Sequence, residues 1–232
     1  MATLLLRLAG PMQSWGTASR FTERDSGREP SKSGVLGLLA AALGVDRHDW
    51  EGSDLPSLAH LRLGVRHDRP GVPKNDYQTA GAGSGMIKAD GGWSKDGVVS
   101  HRDYLSDAVF LAGLETEDRS LLERCHAALA DPYWPLYLGR RSYVPSEPIW
   151  LKDGLRDEPL ETALSLYPLR DRDKSAIRPG AKLLLSLEND RDEGRMCMDV
   201  PLAAFSERHF GARFVISKMV GAPDNADDAA KV

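Results

Sequence analysis

The chain has 232 residues, 41% of them hydrophobic and 28% charged, enough apolar material for one large domain or two small ones. Its 30 Lys and Arg stand against 34 Asp and Glu, a net charge of −4, which excludes a uniformly basic coat that holds nucleic acid by bulk field alone. Charge is uneven all the same: residues 1–48 carry six basic and four acidic side chains, whereas 188–232 carry six basic and nine acidic, so any nucleic-acid contact is local to one side.

Residues 3–9 are short, apolar and closed by Gly10-Pro11, the pattern of a buried strand. The same run meets Arg7 and is too short for a signal peptide or a membrane span, so a cytoplasmic protein with no membrane partner is expected. A polar loop follows, long enough to attract a functional reading. Residues 34–43 then predict an apolar helix, with Ser31 or Ser33 to cap its start and Gly44 its end. In residues 60–67, Leu61, Leu63 and Val65 alternate with Arg62, Gly64 and Arg66, the period of a strand. A third strand is expected over 103–114, and a helix over 117–130 with Leu121, Leu122, Cys125 and Leu129 on one face. A fourth strand is placed at 144–151, made irregular by Pro145 and Pro148.

That βαββαβ order is the order of a ferredoxin-like fold, of α+β class. Residues 182–188, 195–200 and 213–219 predict further strands in a smaller β unit. The expected division is a first domain over 1–150, a small C-terminal β subdomain over 151–220, and an acidic, flexible tail over 221–232. Residues 69–100 interrupt the first domain with many glycines among Lys74, Tyr77, Lys88, Trp93 and Lys95. A plain loop of that length is unusual inside a domain, so the segment reads as an excursion built for contact or as a disordered insertion.

The two cysteines, Cys125 and Cys197, lie far apart, and the six histidines fall at no metal-site spacing, so no metal and no cofactor is expected. Lys32-Ser33 before a helix invites comparison with a phosphate-binding P-loop. That pattern needs glycines at 26 and 31, where serines stand.

The most pointed local signal is the stretch 137–148, in which Gly139, Arg140 and Arg141 are followed by Ser142 and Tyr143. Forked guanidinium groups beside a glycine and aromatic rings suit phosphate and base contact with RNA, although a solvated basic turn has the same composition. Gln13, Ser14 and Trp15 offer an amide, a hydroxyl and an indole suited to unpaired bases, with Trp15 equally at home at a core edge. Lys32 and Ser33 sit at an expected helix N-terminus, where free amides attract phosphate or simply take a capping side chain.

Three segments, 7–16 (RLAGPMQSWG), 30–44 (PSKSGVLGLLAAALG) and 137–148 (YLGRRSYVPSEP), together with Met198 to Leu202, Arg208, Phe210, Arg213 and Val215, resemble the CasD family. These are type I-E CRISPR Cascade subunits of the repeat-associated mysterious protein (RAMP) superfamily. The resemblance runs from about residue 3 to 220 and leaves 224–232 outside. It implies a ferredoxin-like, RRM-like RAMP domain with a glycine-rich loop after its second helix, an inserted thumb and a small C-terminal β part. It also implies a non-catalytic role, holding the 5′ handle of crRNA beside the large subunit CasA and the backbone subunit CasC, with target DNA reached only indirectly. On that basis the expected RNA-binding residues are Gln13, Ser14, Trp15, Lys32, Ser33, Gly139, Arg140, Arg141, Ser142 and Tyr143, and the expected thumb contacts are Lys74, Tyr77, Lys88, Trp93 and Lys95. The alternative is a metal-independent endoribonuclease acting on CRISPR repeat RNA. His48, His60, His67, His101, His126 and His209, with Tyr104 and Lys32, supply acid–base groups for it but form no set by spacing.

Overall fold

A computed structural model describes residues 1–19, 22–81, 83, 85–88, 90–170 and 180–223. Strand β1 (Ala2–Ala9) is buried along its whole length, because both faces of the sheet it belongs to are covered. It pairs antiparallel with β10 (Trp150–Arg156) on one side and with β9 (Val109–Thr116) on the other. Beyond β9 come β4 (Arg62–Arg69), β11 (Lys182–Asn189), β13 (Phe210–Gly221) and β12 (Arg195–Pro201), giving the order β10-β1-β9-β4-β11-β13-β12. The strands expected to form a small β unit of their own therefore continue the main sheet, since β11 hydrogen-bonds along β4 from Leu184↔His67 to Leu187↔Gly64. The expected acidic tail, from residue 224 onward, lies outside the described residues.

One face of the sheet carries helices α1 (Lys32–Leu43) and α3 (Arg119–Ala130), which pack on each other and on the Leu4, Leu6, Leu8, Phe110 and Leu114 side. Ser31 caps α1 by accepting from the Gly34 N–H, and Gly44, at φ 73°, ends it in the left-handed conformation. Short α2 (Leu55–Ala59), which the sequence pattern did not reveal, precedes β4. The other face is closed by α4 (Leu160–Leu166), whose Leu160, Ala163 and Leu164 cover Leu5, Leu111, Leu185 and Leu187. Gly64 and Gly113, paired across β4 and β9, leave bare backbone for it: a Cβ at either would meet α4 leucines at 2.6 and 2.8 Å. Arg66, fully buried there, forks onto Asp68 and donates to the carbonyls of Leu164 and Tyr167. Among the described residues, no helix is long and apolar enough to cross a membrane.

The strand expected over 103–114 is two strands, β8 (Val98–Ser106) and β9. Asp107, at φ 56°, breaks the run, and Gly71, at φ 72°, bends the partner chain at the same level. The paired bend turns the chain out of the main sheet into a ribbon of β5 (Val72–Ala80) against β8, in register from Val72↔Ser106 to Ala80↔Val98. Short β6 (Met86–Ile87) and β7 (Trp93–Ser94) pair at its tip, while β2 (Met12–Gln13) and β3 (Glu23–Arg24) line the base of β8. The fourth strand starts at Trp150 rather than 144, because Pro145 and Pro148 lack N–H donors. The preceding segment still follows β1, through Ser146 N–H to Ala9 and Arg7 N–H to Ile149.

Candidate nucleic-acid interface

Residues 138–143 form a closed turn: Leu138 N–H donates to the Tyr143 carbonyl and Tyr143 N–H to that of Arg140, each at 2.8 Å. Ser14 N–H donates to the Leu138 carbonyl at 3.1 Å, tying the turn to the segment after β1. Gly139, at φ 93°, presses against the Ser14 carbonyl so closely that a Cβ would lie 1.8 Å from its oxygen. Glycine is required at that position.

The guanidinium of Arg140 donates to the Tyr143 hydroxyl (2.7 Å) and to the carbonyls of Asp103 (3.0 Å) and Arg24 (3.1 Å), and its carbon lies 5.3 Å from the Tyr143 ring centroid. Among the described residues its charge meets carbonyls, a hydroxyl and a ring but no carboxylate, so it remains available to an anion. Arg141 and Ser142 are exposed, and Arg141 makes no hydrogen bond or ion pair among the described residues. Tyr143 is buried beneath the turn and supports Arg140 rather than offering a free ring.

Three expected contacts, Gln13, Trp15 and Lys32, are used by the fold itself. Gln13 is fully buried, and its amide donates to the carbonyls of Leu8 and Ala108 while its oxygen accepts from the Trp15 indole N–H at 3.1 Å. Both side chains have thus satisfied their polar groups internally, and only the edge of Trp15 reaches the surface. Lys32 is the third. Its Nζ is 2.8 Å from Glu188 Oε1, and its backbone N–H donates to Asp199 Oδ2 at 2.7 Å. Two of the free amides expected to attract phosphate, those of Lys32 and Gly34, are already met by Asp199 and Ser31, and Asp199 is itself forked by Arg213. Burial lowers the Lys32 ammonium pKa, against the pull of Glu188. The Arg213 guanidinium is disfavoured by burial, yet Asp199 outweighs that and raises its pKa.

Ser14, Ser33, Gly139 and Arg140 do converge, lining a cleft of about 380 Å³ with Trp15, Arg24, Asp25 and Arg208. The cations Arg24 and Arg208 have no partner among the described residues, and Arg208 is held at φ 54°. Asp25 is turned inward. Burial pushes its carboxyl up, but hydrogen bonds from Ser19 and from the Ala18 and Thr17 N–H groups outweigh this and hold it below the ordinary value. Met198, Phe205 and Phe210 supply an apolar wall. Arg24 and Arg208 were not among the expected site residues although they line this cleft; the polar loop and the downstream Arg208 and Phe210 were their only signals in the sequence. Among the described residues, no cluster of three metal-ligating side chains is present.

The five expected thumb residues lie on the β5–β8 ribbon and its tip, and all are exposed, Trp93 by 62% and Tyr77 by 61%. Tyr77 packs edge-on against His101, with ring centroids 5.5 Å apart. Exposed apolar side chains on both faces of a two-stranded ribbon are what a docking element shows, because such a ribbon has no core of its own.

The family model described as CRISPR-associated protein (Cas_Cas5) matches residues 3–216, nearly the whole chain. The chain belongs to the CasD/Cas5 family. The CRISPR system Cascade subunit CasD of Escherichia coli (strain K12) is 33% identical to this Cas5-family chain over 177 residues, 72% of the chain and 77% of the relative. A solved structure described as a Cas protein superposes with TM-score 0.73 at 47% identity, covering 96% of the chain and 98% of that protein. A chain of a CRISPR RNA-guided surveillance complex superposes with TM-score 0.73 at 35% identity, covering 95% and 91%. In this Cas5-family chain the cleft draws on all three segments that carried the resemblance in the sequence.

Proposed function

We propose that this Cas5-family chain is a non-catalytic RNA-binding subunit of Cascade that holds the 5′ handle of crRNA in the Arg140 cleft. The observation that carries it is the cleft's charge: Arg24, Arg140 and Arg208 line it, and the one carboxylate among them, Asp25, has its oxygens occupied. Arginine beside aromatic and apolar walls suits a single strand, with phosphates on the guanidinium groups and bases against the rings. The domain is a ferredoxin-like RAMP module, a reading supported by the antiparallel order β10-β1-β9-β4 with α1 and α3 on one face. The exposed ribbon, with Lys74, Tyr77, Lys88, Trp93 and Lys95, reaches over the RNA to CasC and CasA, and target DNA is met only through those neighbours.

Among the described residues no histidine lines the Arg140 cleft, which favours binding over endoribonuclease chemistry there. Filter binding of labelled 5′-handle RNA to the full chain across a salt series tests the function. Affinity falling with salt, weakening in Arg141→Ala, and intact RNA after incubation in EDTA are expected. Specific cleavage in EDTA, or no salt-dependent binding, overturns the proposal.

A further inference from the structure

A second and larger cavity, of about 620 Å³, adjoins the Arg140 cleft. Trp15, Thr17, Ser31 and Met198 line both, so a strand leaving the first passes directly into the second. The floor of this cavity is polar, with His67 and Ser186 buried and Ser217 and Arg195 at its open side. His67, from β4, places Nε2 at 3.0 Å from Glu29 Oε2, and Ser186 Oγ of β11 lies 3.3 Å from Ser217 Oγ of β13. Arg195 of β12 pairs with the other oxygen of Glu29. The walls are apolar, built from Trp15, Pro30, Leu184, Met196 and Met198, and Arg28 stands exposed at the surface with no partner among the described residues. Flat apolar walls, a polar floor and a free cation outside match the face, edge and phosphate of one nucleotide.

The floor also discriminates. Burial pushes the Glu29 carboxyl up, but hydrogen bonds from His67 and Ser186 and the charges of His67 and Arg195 outweigh it and hold it at about 2. At neutral pH this group is acceptor-only, with about four acceptor positions, of which His67, Ser186 and Arg195 take three. The remaining position suits the exocyclic amine of adenine, cytosine or guanine. Uracil has no such amine: its one donor on that edge, the ring N3–H, lies between two carbonyls that both face the carboxylate if it approaches.

We propose that this cavity is a second nucleotide subsite, selective for an amino-bearing base over uracil, into which the RNA strand continues past Ser31 and Met198. The inference rests on the Arg140 cleft being an RNA site, and its test separates the two. The probes are labelled oligouridine RNAs in which a single adenosine is moved stepwise along the strand, titrated against the full chain. Wild type is expected to bind about tenfold more tightly when the adenosine reaches one particular position, the size of one base contact. Glu29→Gln should flatten that scan. Because it also loosens Arg195 and His67, Ser217→Phe is the second variant: position 217 is exposed and lines the cavity, so the ring occupies it while the charge partners Arg195 and His67 stay on Glu29 and only the Ser217 hydroxyl's contact with Ser186 is lost. It too should flatten the scan, while Arg28→Ala should weaken every probe alike. A flat wild-type scan with RNA binding retained, or a preference that survives Ser217→Phe, overturns the second subsite alone. Failure of wild type to bind any probe overturns both it and the Arg140 reading.

Discussion

Between Gly139 and the carbonyl of Ser14 there is room for a hydrogen and nothing larger: a Cβ would stand 1.8 Å from the oxygen, on a residue whose φ is 93°. Two chain segments that carry cleft residues are locked by this approach. Gly139→Ala must open it and also bear the left-handed conformation, so a loss of roughly 2–4 kcal/mol is expected. Thermal or denaturant unfolding measures it. Because Arg140 follows directly, RNA affinity should fall as well, and more than in a variant equally destabilised elsewhere, such as Gly113→Ala beneath α4.

Adjacent Arg140 and Arg141 should behave differently. Arg140 holds two carbonyls and the Tyr143 hydroxyl, a planar arrangement that lysine cannot reproduce. Arg140→Lys is therefore expected to lower both stability and RNA affinity. Arg141 touches nothing among the described residues, so Arg141→Ala should leave the melting temperature unchanged. Its RNA affinity should drop uniformly across sequences, with the salt slope reduced by about 0.7 for one lost phosphate contact on a single strand. Salt-dependent binding isotherms of the two variants distinguish a supporting arginine from a contacting one.

At the start of α1, Lys32 places a cation where the helix macrodipole is already positive, and Glu188 and Asp199 neutralise both. The same Asp199 receives the fork of Arg213 from β13, joining the C-terminal strands to the helix layer. Asp199→Asn leaves that buried guanidinium with only Glu188, 3.9 Å away, as a charge partner and is expected to destabilise by about 3 kcal/mol, the low end for a broken buried pair. Lys32→Met should destabilise less, since Glu188 also accepts from the Leu63 N–H. Neither position faces the cleft, so the salt slope of RNA binding in Lys32→Met should equal that of wild type. A reduced slope would restore Lys32 as a phosphate contact.

Much of this architecture was legible in the residues. The apolar run of β1, the alternation in β4, the Ser31 and Gly44 caps of α1 and the face of α3 are local patterns, and each lies where its period places it. What was not legible depends on distant partners. Gln13 and Trp15 look like free recognition groups until Leu8 and Ala108 are brought beside them, and Lys32 looks like a phosphate ligand until Glu188 arrives from 156 residues away. The pairing of β11 with β4 is likewise a long-range choice, invisible to strand periodicity. Arg140, whose guanidinium meets two carbonyls and the Tyr143 hydroxyl, and Arg141, which is exposed, have no carboxylate partner among the described residues, and so their local chemistry reads alike in sequence and structure.

Acid should expose the Glu29 cluster. The carboxyl is held at about 2 in the folded chain, against an ordinary 4.5, so its bonds to His67 and Arg195 contribute fully above about pH 4.5. That contribution is lost as pH falls towards about 2, because the unfolded chain takes up the proton first. The shift sets an upper bound of roughly 3 kcal/mol. Denaturant unfolding at stepped pH should show stability declining through this window in wild type. In Glu29→Gln the protein should be less stable at neutral pH, with a shallower decline below about pH 4.5. Parallel curves for the two proteins through that window would show that Glu29 is not held as the geometry requires.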